Sequence, residues 1–325
     1  MDPAGDLHLS VGKDEAARFF VVCSKSLARS APFWKTLLYG GFFESKKPDS
    51  QDQDKTDWVV KLPEDDPKSM ELLLNIVHGR FEFVPEHEAR IPVDDLYNLC
   101  VLADKYDMVH MLRPWARGWS KTVHNRRMFS NYTEHCKLLW ISWVFGDQTN
   151  FEHTAKVLLC KHRHPHDPES LEPPGIYERM EQIRLDTITE LIAPFRTTIQ
   201  GLIENDLSFC VAEKKRKKST NCIRNMLGAA IQYLHGFELW PIPSAEDVDF
   251  EIEWLANSLK EVDVESGVHD ECTHTPRLQE GIDKTLGSIP SLLTETECHH
   301  LRGQAKKSGL AVTEKKEVVV GKDEE

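Results

Sequence analysis

The 325-residue chain has no long apolar stretch. Its most apolar run, residues 138–145, is far shorter than the roughly 20 residues a membrane-spanning helix needs, and it reads as a buried core helix. The first nine residues are acidic and polar, without the apolar segment of a secretory leader. Basic charge is in deficit. A net charge of −13 opposes general binding to nucleic acid, which needs a basic face. Also missing are GxSxG, a P-loop, HExxH and a glycine-rich dinucleotide fingerprint. The expectation is therefore a protein that is not an enzyme, with no cofactor, no membrane partner and no nucleic-acid partner. Cys-x-x-Cys pairs are absent too. Cys23, Cys100, Cys136, Cys160, Cys210, Cys222, Cys272 and Cys298 are scattered, as expected for reduced thiols of an intracellular protein of the cytoplasm, the nucleus or both. The glycosylation acceptor Asn131-Tyr132-Thr133 would then go unused.

What is present supports a folded chain of about two domains. Hydrophobic residues make up 40% and charged residues 29%. Leu7, Leu9 and Val11 alternate with His8 and Ser10, which predicts a half-buried strand. Residues 18–22 complete a hairpin, and Ser24 is expected to cap a short helix. Pro32 suits the first turn of a second helix that stops at Gly40-Gly41. A polar loop over 46–57 leads to a third strand at 58–62. A helix follows from Pro67 to Gly79, then a short strand at 81–84, then helices over 93–106 and 109–119. Beyond about residue 123 only helical periodicity remains, over 133–145, 151–162, 176–204, 219–235, 247–260, 276–286 and 293–306. Pro194 is expected to kink or split the longest of these. The charged end is expected to be a disordered tail.

The segment Gly5-Asp6-Leu7-His8-Leu9-Ser10-Val11, the strand-and-helix stretch from Phe20 through Cys23-Ser24 to Ser30, Phe33-Trp34 through Gly40-Gly41-Phe42, and Leu102-Ala103-Asp104-Lys105-Tyr106 together resemble a BTB/POZ domain. Cys23 stands where many members have His. That spelling, with the patterns over 222–239 and 269–310, resembles a set of filamentous-fungal BTB proteins with a helical C-terminal region. The resemblance implies an α+β fold: a BTB/POZ-like interaction domain over 1–122, a helical region of unknown role over 123–306, and a charged tail over 307–325. It also implies other proteins as partners, either a second copy or a cullin scaffold of a ubiquitin ligase. Only residues 1–5 precede the first strand, so a homodimer is expected to form without strand swapping. Cullin-binding members carry a hydrophobic residue two before a Glu in the helix after the third strand. Here Glu71 matches and Ser69 does not. The residues expected at the docking face are Met70, Glu71, Leu74, Tyr97 and Tyr106.

Two groups of residues have the chemistry of metal ligands. Cys160, His162, His164 and His166 lie close together, but their spacing of two and Pro165 favour a polar helix end entering a loop. His269, Cys272 and His274 form the second group, with Cys298, His299 and His300 about 25 residues on. Neither half has Cys-x-x-Cys or His-x-x-x-His spacing, so scattered cysteines and surface histidines are the plainer account. Lys214-Lys215-Arg216-Lys217-Lys218 is a candidate nuclear import run or anionic-ligand patch, against a solvated helix start. Cys23, beside Lys25 and Arg29 ahead of a helix, is weighed as a reactive thiol against a small buried hydrophobe. The leading reading is a protein–protein adaptor acting through the BTB-like domain. The alternative is a nuclear regulatory protein with a basic import run and a structural zinc site.

Overall fold

The computed structural model describes residues 1–45, 58–85, 91–126, 130–163, 170–210, 216–269 and 271–311, apart from the side chains of 216–218. The expectations for the loop 46–57, the tail beyond 311, His164, His166, Lys214 and Lys215 lie outside these residues. The fold is α+β: mostly helical, with one small mixed sheet near the N-terminus. No helix among the described residues is long and apolar enough to cross a membrane.

The sheet holds β1 (Leu7–Val11), β2 (Arg18–Val22) and β3 (Val59–Leu62) in the order β2-β1-β3. β1 pairs antiparallel with β2, Leu9 facing Phe20, and parallel with β3, Leu9 facing Val60. As the alternation predicts, Leu7, Leu9 and Val11 are fully buried and their neighbours face outward. Helices α1 (Ser24–Ser30) and α2 (Pro32–Tyr39) follow the hairpin. Ser24 is not the cap of α1. The Asp6 carboxylate, just ahead of β1, accepts from the Ser24 backbone N–H at 2.9 Å and from its hydroxyl at 2.7 Å. A long-range carboxylate thus satisfies an N–H at the positive end of the helix.

After β3 come α3 (Pro67–Val77), α4 (Val93–Lys105), α5 (Arg113–Arg126), α6 (Tyr132–Phe145) and α7 (Gln148–Lys161). The strand expected at 81–84 is a 3-10 turn, Phe81–Phe83. Its aromatics pack locally instead of entering a ladder: Phe81 lies 5.6 Å from the Trp115 ring, and the Arg80 guanidinium sits 4.4 Å over Phe83. The helix expected over 109–119 opens as a 3-10 turn, Val109–Leu112, before α5. The apolar run forms α6, buried on nearly all sides among α4, α5 and α12 (Glu295–Ser308).

The remaining helices are α8 (Ile176–Ile203), α9 (Arg216–Gly236), α10 (Ile252–Lys260) and α11 (Thr275–Gly287). α8 runs through Pro194 unbroken. Proline inside a helix costs about 3 kcal/mol, but Ile188, Leu191 and Ile192 before it and Phe195, Ile199 and Leu202 after it are all buried. At roughly 1.5–3 kcal/mol for each buried large apolar side chain, that stripe outweighs the lost hydrogen bond.

The chain divides into two compact units, residues 1–151 with 294–325, and residues 152–293. Packing therefore does not break at 122, which falls inside α5, nor at 306, which falls inside α12. α12 belongs with the N-terminal unit. The Ser308 hydroxyl donates to the Phe145 carbonyl at 2.7 Å, and Lys307 pairs with Asp107 at 2.7 Å. Gly146 ends α6 with φ +71°, and a Cβ there would collide with the Leu301 and Ala305 backbone. We expect Gly146→Ala to cost at least about 2 kcal/mol, combining left-handed strain with displacement of α12. Urea denaturation of the full chain checks this; a loss below about 0.5 kcal/mol, the scale of a surface substitution, would contradict the packing of α12 on α6.

Candidate functional site

Two places carry chemistry, one in each unit. In the N-terminal unit, the expected docking residues prove to be mainly core. Met70, Leu74 and Tyr106 are almost fully buried and Tyr97 nearly so, because the apolar stripes of α3 and α4 face the interior. Tyr106 stacks on Trp34 with centroids 4.7 Å apart and donates its hydroxyl to Asp65. Burial and that carboxylate push its phenol well above the usual range, so it stays a donor. Asp65, itself buried, also receives Lys105 at 2.6 Å. Of the five residues only Glu71 reaches solvent, where it pairs with Arg18 at 3.0 Å.

A groove of about 250 Å³ lies beside them on the same unit. Leu72, Phe83, Pro85, Ile91 and Pro92 give it apolar walls, and Lys68, Glu71 and Asp95 charge its lining. Lys68 and Asp95 pair at 2.7 Å. Ser69 and Asn75 also line it. The Ser69 hydroxyl and the Asn75 amide oxygen are buried and have no hydrogen-bond partner among the described residues. Each such atom costs about 1–3 kcal/mol until something bonds to it.

Cys23 precedes α1. Its backbone N–H donates to His78 Nε2 at 3.1 Å. Hydrogen bonds from Ser26, not charge from Lys25 or Arg29, lower its thiol pKa. Cys100 is fully buried and its thiol is pushed up by burial.

The second place lies in the helical unit. Cys210, Cys222, His269 and Cys272 bring one donor atom each to within 4.8 Å of one another. Cys210 closes the 3-10 turn Leu207–Phe209 that follows α8. Cys222 is fully buried on α9. His269 and Cys272 flank a tight turn in which the Cys272 N–H donates to the His269 carbonyl at 3.1 Å. The bridge Glu265–Thr273 closes the base of that loop. Inside it, the Ser266 hydroxyl accepts from the Val268 and His269 N–H groups at 3.1 Å each. Asn225, one turn beyond Cys222, donates to the Ser266 carbonyl at 2.9 Å and so ties the loop to α9. His269 Nδ1 is 3.7 Å from both Cys210 Sγ and Cys272 Sγ, and the two sulfurs are 3.9 Å apart. A disulfide needs about 2.05 Å; none links the described cysteines. Burial and the neighbouring thiols push the Cys222 thiol up to about 12.

The sequence thus locates half of this cluster. His269 and Cys272 belong to it, but His274, Cys298 and His299 do not. His274 Nε2 is 3.1 Å from the Phe209 carbonyl, so it donates there and steadies the residue just before Cys210. Cys298 and His299 lie on α12, in the other unit, because α12 packs on α6. His300 stacks on Trp143 at 4.0 Å. Cys210 and Cys222 were missed. The available signal was the His-x-x-Cys spacing of 269 and 272, the same interval as in Cys-x-x-Cys. The other two ligands come from distant segments and have no local signature. Of the Cys160 group, Cys160 ends α7 and its thiol is pushed up by burial. Of the basic run, Arg216 opens α9.

Comparison of the chain with protein-family models, with curated proteins and with solved structures finds no match.

Proposed function

We propose that the chain is a protein–protein interaction adaptor whose N-terminal unit is a BTB-like module that holds a peptide segment of a partner in the groove beside α3 and α4. The observation that carries this reading is the pairing of apolar walls (Leu72, Phe83, Pro85, Ile91 and Pro92) with the charged side chains of Lys68, Glu71 and Asp95 in one groove. An extended peptide has the complementary parts: an apolar side chain fills the cleft, and polar or charged groups meet Lys68, Glu71 and Asp95 at its edge. Support also comes from the element order, which keeps the expected strand, strand, helix, helix, strand, helix and later helices but has a 3-10 turn in place of the strand expected at 81–84. Exposed aromatics on the same unit add a second apolar surface; Phe43 is 82% and Phe19 72% exposed. The cullin form of this reading is weakened at Ser69, whose small side chain is 2% exposed and presents nothing apolar to a scaffold.

The test compares proteins co-purifying with tagged wild-type chain and with Leu72→Glu and Phe83→Glu, both at groove positions. A central apolar contact is worth about 2 kcal/mol, so the partner's yield should fall roughly 30-fold. A cullin among the lost partners would identify the ligase adaptor. Equal recovery with all three proteins would remove the groove from the account.

One observation favours a nuclear regulatory role as the second reading. The run Lys214–Lys218 places five consecutive cations in a chain of net charge −13, a pattern that fits an import signal. Replacing its five residues by Gln should move a fluorescent fusion from nucleus to cytoplasm; an unchanged distribution would end the import reading.

A further inference from the structure

The geometry points to a closed, structural zinc site in the helical unit, with Cys210, Cys222 and Cys272 as thiolate ligands and His269 as the imidazole ligand through Nδ1. Four donors around one zinc ion, sulfur at about 2.3 Å and nitrogen at about 2.0–2.1 Å, stand roughly 3.6–3.8 Å from each other in a tetrahedron. Cys210 Sγ, Cys272 Sγ and His269 Nδ1 are already spaced at 3.7, 3.7 and 3.9 Å. The fourth donor, on Cys222, keeps all separations within 4.8 Å. That leaves room for one ion and not for a polynuclear cluster. Three soft thiolates with one imidazole select zinc over magnesium or calcium, which take oxygen ligands.

The surroundings are those of a built site. Two ligands sit on a turn fixed by backbone hydrogen bonds, and the Ser266 hydroxyl holds the His269 N–H. His274 anchors the carbonyl next to Cys210. Such outer contacts orient ligands before the ion arrives. On binding, each thiol loses its proton to solvent while His269 binds as neutral imidazole. The ion and three thiolates then carry one net negative charge. Four protein ligands leave no open position for water or substrate, so the site holds the fold together and performs no reaction.

The experiment uses the full chain, purified without a polyhistidine tag and without chelator. Elemental analysis should find about one zinc per chain. After replacement by cobalt, the protein should show the strong visible bands of tetrahedral cobalt with thiolate charge transfer in the near ultraviolet. Cys210→Ser and Cys272→Ser should each weaken zinc binding by more than about 100-fold, beyond the cost of losing an outer partner. Cys160→Ser and Cys298→Ser should bind as wild type does. Zinc-edge absorption of the unsubstituted protein should count three sulfurs and one nitrogen, which keeps the test decisive if a variant fails to fold. No stoichiometric zinc, a disulfide among these cysteines, or fewer than three sulfurs at the ion would overturn the assignment.

Discussion

The turn that carries His269 and Cys272 depends on the meeting of four donor atoms drawn from three stretches of chain. Cys210 follows α8, Cys222 lies within α9, and His269 and Cys272 sit on the loop before α11. Cys210 and Cys272 are 62 residues apart in sequence. Closing a loop of that length costs on the order of 4 kcal/mol in chain entropy. Packing of α9, α10 and α11 against α8 offsets that cost for the helices, whereas the described residues of the loop that returns His269 and Cys272 carry one bridge, Glu265–Thr273. A zinc ion bound at all four atoms holds that loop, because metal binding free energy at such a site is folding free energy.

The N-terminal unit is held together differently. Its core is apolar, from the inner face of β1 to the buried α6, and two carboxylates fix the geometry around it. Asp6 joins the strand to α1, and Asp65 joins the start of α3 to the end of α4 through Lys105 and Tyr106. Both carboxylates receive donors, as the buried charge of Asp65 requires. The groove beside α3 and α4 adds an apolar cleft edged by Lys68, Glu71 and Asp95, a lining that suits contact with another chain.

Legibility in the sequence followed the range of the interaction. The two-residue alternation of Leu7, Leu9 and Val11 and the apolar rhythm of α8 are local, and both gave the right element. Asp6 as the cap of α1 was hidden, because it lies 18 residues from Ser24 and the local candidate, Ser24 itself, looked sufficient. Phe81 and Phe83 carry strand-like alternation, yet Trp115 and Arg80 provide better partners than any sheet edge. Tyr106 and Met70 looked like docking residues because helices show one apolar stripe, and sequence alone does not say whether that stripe meets a core or a partner. α12 read as part of the helical region, since nothing local announces that Gly146 gives it room to pack on α6. The metal cluster was half legible for the same reason: His269 and Cys272 share a turn, whereas Cys210 and Cys222 join them only through the tertiary fold.

Hydrogen exchange of the intact chain, zinc-loaded and after chelation, reads the zinc site's hold on the helical unit. Removing zinc should speed exchange around Cys210 and Cys222 and from Val264 to His274, with α4 and α6 unchanged. Identical exchange at those segments in both states would contradict it.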